Sequence, residues 1–319
     1  MSRTAMVAGT IGVLVIAGVV VLVIASGGSS APLQLTTPVA AAKSRFPAPP
    51  SGAVVFARED STDVLALAVV RRTGDDLELQ ASDVGQQGTG VSGLRVSFAV
   101  TAGGAVHTAD AAPCGDGCYR AHVSLSATPA TVRVDVVRSA RTTHWVVPLP
   151  RPWPAPDASA LVARAARVWT SLTSLSYTDR LGSDASHVVR SHWQIVAPDR
   201  LAYQIEQGGG QAVIVGVKRW DRATGEKWQE SPAVRLHQPE PFWVSATDAH
   251  IVGSGRFDGR PVWRVSFYDP RTPGWFLISI DKGTSRTLDL HMLATAHFMH
   301  DSYGQFNAPI KIVPPTSNR

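Results

Sequence analysis

The tract His291-Met-Leu-Ala-Thr-Ala-His-Phe-Met-His300 gathers three imidazoles and two thioethers within ten residues, ligand types that suit copper. Read as one extended strand, Leu288, Leu290, Met292, Ala294, Ala296 and Phe298 fall on one face. His291, Thr295, His297 and Met299 fall on the other. On such a strand His291 and His297 stand ~20 Å apart and cannot share an ion. His297 and Met299, two apart on one face, can, given a third ligand from a neighbouring strand. The competing reading is that both are ordinary strand residues.

The two cysteines, Cys114 and Cys118, stand in Pro113-Cys-Gly-Asp-Gly-Cys-Tyr119. In an oxidising compartment such a pair is most simply a disulfide closing a tight turn. Metal binding needs more ligands than this pair, and His107 is the one obvious helper. Catalytic chemistry finds little to work with. No Gly-x-Ser-x-Gly elbow, His-Glu-x-x-His, phosphate loop or dinucleotide fingerprint occurs, and no Ser, His and Asp are spaced as a triad. The chain is read as a non-enzyme without a cofactor.

Aromatic and aliphatic residues at alternate positions offer a different chemistry, the burial of apolar surface. Val189, Trp193 and Ile195 make one apolar strand face; Trp263, Val265 and Phe267 make a second; Phe276, Ile278 and Ile280 make a third. With Leu290, Met292 and Phe298 they either form a packed core or line a cavity open to a lipid-like molecule.

The elements that must position these residues divide the chain. Residues 5–25 are apolar, Gly or Thr throughout, and no charge occurs between Arg3 and Lys43. Twenty-one residues at ~1.5 Å each span ~30 Å, the thickness of a hydrocarbon core. Residues 1–26 are therefore expected to be a retained transmembrane anchor, although Val23-Ile24-Ala25 also resembles a signal cleavage site. Arg3 puts the N-terminus in the cytoplasm and the body outside a cell membrane crossed once. Residues 27–51, rich in Pro, Gly and Ser, read as a linker. The net charge of +5 is spread along the chain rather than gathered, which disfavours nucleic acid as a partner.

Residues 52–147 show short β patterns broken about every ten residues by Gly, Asp or Pro, the habit of an immunoglobulin-like β-sandwich of about seven strands. The Pro-rich stretch 148–156 separates this from residues 157–315. There Asp157 is the expected N-cap of a helix whose apolar positions are Leu161, Ala165, Val168, Leu172 and Leu175, with Trp169 beside them. Strands are expected at 187–196, 201–206, 213–220, 261–268, 276–281 and 287–299. A helix followed by long antiparallel strands implies a bent sheet with the helix against one face. The fold class is mostly β.

Residues 157–315 resemble the LolA/LppX-like half-barrel, a fold of lipoprotein and lipid carriers and of the sensory domain of RseB/MucB-type regulators. Ala197-Pro-Asp-Arg-Leu-Ala-Tyr203, Trp263-Arg-Val-Ser-Phe-Tyr-Asp-Pro270, Trp275-Phe276 and Ala296-His-Phe-Met299 carry the resemblance. Residues 52–147 are similar, chiefly through Pro113-Cys-Gly-Asp-Gly-Cys-Tyr-Arg120, to the YtkA/FixH-like sandwich appended to actinobacterial CopD-type copper transporters. The multi-helix permease is absent from this sequence. The first resemblance implies binding or sensing of an apolar, lipid-like ligand, with a membrane protein as a further partner. The second implies a copper-homeostasis accessory. A ligand-free interaction module of a membrane complex is the third reading.

Overall fold

The computed structural model describes residues 14–16, 19–21 and 46–316, apart from 61–62, 75, 86–87, 140, 183–187, 235–239 and 295–296. The expected anchor and most of the linker after it lie outside the described residues. The exception is a short antiparallel pair, β1 (Leu14–Ile16) with β2 (Val19–Val21). Among the described residues no helix is long and apolar enough to cross a membrane. From residue 46 onward the chain is mostly β, and every strand pairing is antiparallel.

Nine strands come first: β3 (Val54–Asp60), β4 (Asp63–Arg71), β5 (Leu77–Val84), β6 (Arg95–Ala102), β7 (Ala105–Asp110), β8 (Ala112–Gly115), β9 (Cys118–Val123), β10 (Pro129–Arg138) and β11 (Arg141–Pro148). They form two sheets, in the orders β3-β4-β5-β9-β8 and β11-β10-β6-β7. The sheets face each other across one core, where Leu65, Leu67 and Leu79 meet Phe98, Val134 and Val136. The sequence led to about seven strands because β3 lies before the first strong pattern, while β7 and β8 are short and largely exposed. Cys114 and Cys118 are joined by a disulfide across the β8–β9 turn.

Strand β4 explains its own unbroken apolar run. Alternation is lost when both faces of a strand are covered. Leu65, Leu67 and Val69 enter the core between the two sheets. Val64, Ala66, Ala68 and Val70 enter a second core against Tyr268, Trp275 and Phe298 of the C-terminal half.

That half begins with α1 (Ser159–Thr170). Strands β12 (Ser174–Gly182), β13 (Val188–Val196), β14 (Arg200–Ile205), β15 (Gln211–Val215), β16 (Lys218–Arg222) and β17 (Gln229–Pro232) follow. After a 3-10 turn at Phe242–Ser245 come β18 (Thr247–Phe257), β19 (Arg260–Asp269), β20 (Gly274–Asp281), β21 (Thr287–Ala294) and β22 (His297–Gly304). All eleven strands make one sheet, ordered β17-β16-β15-β14-β13-β12-β22-β21-β20-β19-β18. The chain walks from the centre to one edge, crosses to the other edge, and returns to the centre. Laid flat, such a sheet would be about 50 Å wide. A twelve-residue helix about 18 Å long could not cover it. Yet Ala212 of β15 and Ala249 of β18 belong to the same core as α1, so the sheet curls around the helix.

Four local expectations are corrected. The helix stops at Thr170 and buries Val162, Ala165 and Trp169, a face rotated from the expected one. Leu172 lies past its end and Leu175 is in β12. Asp157 accepts hydrogen bonds from the Ser159 backbone N–H and hydroxyl, but the N-cap position is Ala158. Residues 213–220 are not one strand: Gly216, at φ +63°, reverses the chain between β15 and β16. Residues 287–299 are likewise two strands, with β21 turning into β22 between Ala294 and His297.

Candidate functional site

The β21–β22 turn changes which side chains share a face. In the observed register Met292 opposes Met299, Leu293 opposes Phe298, and His291 opposes His300. The expectation that Phe298 shares a face with Leu290 and Met292 fails, because the reversal shifts its parity. Leu290, Met292 and Met299 face inward, towards α1. His291, Leu293, Phe298 and His300 face outward, towards the two-sheet half. Of the expected metal pair, Met299 is buried in the inward cluster and also borders the cleft. The His297 side chain lies outside the described residues.

The inward face is filled. Trp193, Ile195, Val265, Phe267, Phe276, Ile278, Ile280, Leu290 and Met292 are all buried in one cluster with α1 and Trp243. Trp263 packs half-buried at its border, and Val189 is 47% exposed. A chain of ring contacts runs through this core, from Trp243 to Trp169, Tyr303, Tyr177, Trp193 and Tyr203, with centroids 4.6–5.7 Å apart. Polar groups sit among the rings. Tyr303 donates to Asp301 at 2.6 Å, Trp193 donates to Ser191 at 2.7 Å, and Ser191 donates to Asp179 at 3.3 Å. Burial raises the Asp179 carboxyl to about 6, and burial with the Asp179 charge beside it raises Asp301 well above the usual range. The two residues stand opposite each other across β12 and β22.

The open space lies on the outward face. A cleft of about 640 Å³ separates β20, β21 and β22 from β3 and β11. Its apolar walls are Phe56, Trp145 and Val147 on one side and Trp275, Leu277 and Phe298 on the other. Arg180, Arg264, His291, His300 and Glu59 supply charged and polar positions in the same walls. Next to the cleft the two halves are fastened by Phe46 stacked on Trp275, centroids 5.5 Å apart, and by the Gly52 N–H donating to Asp248 at 2.9 Å. Of the twelve apolar candidates named from sequence, Phe276 and Phe298 line this cleft. The residues missed, Phe56, Trp145 and Val147, come from the other half of the chain, and no spacing in the sequence ties them to β20.

At the β21–β22 wall, Asp289 is buried while His291 and His300 reach the cleft. The His300 Nε2 lies 2.6 Å from one Asp289 oxygen and the His291 Nε2 lies 3.3 Å from the other. The two rings stack with centroids 3.9 Å apart. Burial would raise the Asp289 carboxyl, but the bonds from His291 and His300 overcome it and hold the group at about 2.

No known protein family matches the sequence, and no curated protein does. Among solved structures, LprF from Mycobacterium bovis is 9% identical, with 53% of this chain and 100% of that chain aligned at a TM-score of 0.40. The lipoprotein LppX of Mycobacterium tuberculosis is 11% identical over 48% of this chain and 98% of its own, at 0.36. A LolA superfamily protein from Nitrosomonas europaea is 9% identical over 50% and 96%, at 0.24. These neighbours align with about half of this chain and are too distant to carry any argument about what it binds.

Proposed function

We propose that this protein is an extracytoplasmic binding protein, tethered by residues 1–26, that takes up an amphiphile with an apolar chain. The ligand would lie in the cleft between the immunoglobulin-like sandwich of residues 52–147 and the outer face of the half-barrel of residues 157–315. The single observation that carries the reading is the cleft of about 640 Å³ walled by Phe56, Trp145, Val147, Trp275, Leu277 and Phe298. That volume lies inside the range of small-molecule sites, about 300–1,000 Å³. Binding would draw on the hydrophobic effect, at about 25 cal/mol per Å² of apolar surface buried before the costs of association. Arg180 and Arg264 in the same walls favour an anionic head on the ligand. The packed inward core leaves the half-barrel's own hollow to Trp243, Phe267 and their neighbours.

Native mass spectrometry of the full chain released from detergent, followed by organic extraction, tests the reading. The expected result is a reproducible mass excess that extracts as a lipid or other amphiphile and is lost in Leu277→Asp. A bare protein mass after purification from membranes rich in candidate lipids would reject it and leave the protein as an interaction module.

A further inference from the structure

We propose that Asp289, His291 and His300 form a binding site for one divalent transition-metal ion of borderline softness, in the Zn²⁺ class. The site opens on the cleft and stands whatever the apolar part of that cleft holds. Three observations converge on it. The first is donor convergence: among the described residues these three side chains are the group of His, Cys, Asp and Glu whose ligand atoms all lie within 4.8 Å of one another. An ion bound at ~2.0–2.1 Å to each ligand needs donors about 3.3 Å apart, so side-chain shifts of about 1 Å suffice.

The second is rigidity. Asp289 and His291 are two apart on one strand face, and His300 stands directly opposite His291 in the neighbouring strand. Both strands lie in the interior of the eleven-stranded sheet, so the donors are placed by backbone ladders rather than by a loop. The third is direction. The Nε2 atoms of both rings point at the one carboxylate, which is 7% exposed, while the rings themselves reach the cleft. Two imidazoles and one carboxylate suit Zn²⁺, Co²⁺, Ni²⁺ or Cu²⁺. They offer too few oxygens for Ca²⁺ or Mg²⁺ and no soft sulfur for Cu(I). A three-ligand protein set leaves a coordination position open, and here it opens on the cleft.

Arg180 opposes His300 across β12–β22, and Arg264 lines the same cleft; both repel a bare cation. The buried Asp289 carboxylate counters them, and it faces the two imidazoles directly. Without metal, the three side chains satisfy one another through the same hydrogen bonds, so the site costs the fold no unpaired group. Metal binding takes the Nε2 lone pair of each neutral ring, the Nε2 proton passing to Nδ1 or to solvent, and involves no redox change.

The test is equilibrium dialysis of the full chain in detergent, stripped with chelator, against Zn²⁺, with Co²⁺ absorption as a second reading. The expected result is one equivalent of Zn²⁺ and low-symmetry Co²⁺ bands. His291→Ala and His300→Ala should each weaken uptake at least about tenfold, and His122→Ala should leave it unchanged. Because Asp289 is buried, Asp289→Asn serves with a thermal melt that reports whether the fold is kept. Zn²⁺ should raise the melting temperature of the wild type and not of the His291→Ala, His300→Ala double variant. Substoichiometric uptake by the wild type, equal uptake by the double variant, or loss only in His297→Ala would overturn the assignment.

Discussion

The β21–β22 hairpin holds one buried carboxyl on each of its faces, and the two are treated in opposite ways. On the inward side Asp301 meets another carboxyl, Asp179, among aromatic rings, and both are pushed towards the neutral acid. On the outward side Asp289 meets two imidazoles and is held as the anion. The residue type and the strand pair are the same; only the partner differs. The face packed by α1 excludes water and cations, so a charge there is suppressed. The face turned to the cleft keeps its charge because histidines from both strands surround it. The sandwich half solves the problem a third way, with Arg138 between Asp60, Asp63 and Asp83.

The contrast breaks most visibly by truncating each face. Phe267→Ala removes a ring stacked on Phe276 at 5.0 Å in the inward core. It should lower unfolding free energy by about 3–5 kcal/mol in urea titrations. A loss below about 1 kcal/mol would mean that the inward face is hollow after all.

Next in size is the pH dependence of the inward pair. The Asp179 value of about 6 lies above its ordinary 3.8, so the stability present below that ordinary value is lost as pH rises through about 6. The loss should reach up to about 3 kcal/mol, and Asp179→Asn, which removes the titrating carboxyl, should flatten it. An unchanged slope in that variant would remove the pair as its source.

Asp289 predicts the reverse slope. Its value of about 2 lies below 3.8, so its contribution is present above 3.8 and disappears as pH falls towards 2, by about 2 kcal/mol. The His291→Ala, His300→Ala double variant should lose most of this acid-side slope; retention would show that the imidazoles do not hold the anion. The smallest effect is expected at the rim of the cleft. Val146 is 58% exposed and lines it, so Val146→Ser should change stability by less than about 0.5 kcal/mol while weakening amphiphile uptake. A large stability loss there would mean that the cleft is a packed joint.

Much of the β character was legible because alternation is local. Leu94–Val100, Val132–Val136 and Pro261–Tyr268 announce strands through residues two apart, and each is a strand with slightly different bounds. The β21–β22 turn was not legible. The Thr295-Ala296 link contains no Gly, Asn, Asp or Pro, so nothing interrupts the apolar period from Leu288 to Phe298. That one omission misplaced Phe298 and separated His291 from His300, and with them the metal cluster. The helix face was misread because Leu172 and Leu175 continue a three-to-four spacing past the point where the helix ends.

The sequence alone determined the mostly β composition, the disulfide pair, and the alternating faces Trp193–Ile195, Val265–Phe267 and Phe276–Ile280, all of which are set by neighbours a few residues away. Only the tertiary structure decided which faces close on α1, and that the open space lies between Trp145 of one half and Leu277 of the other. It also decided that three polar residues from two strands meet. Strand faces follow from a period of two, but register, sheet order and the docking of two bodies depend on contacts between residues far apart in the chain, which no local spacing encodes.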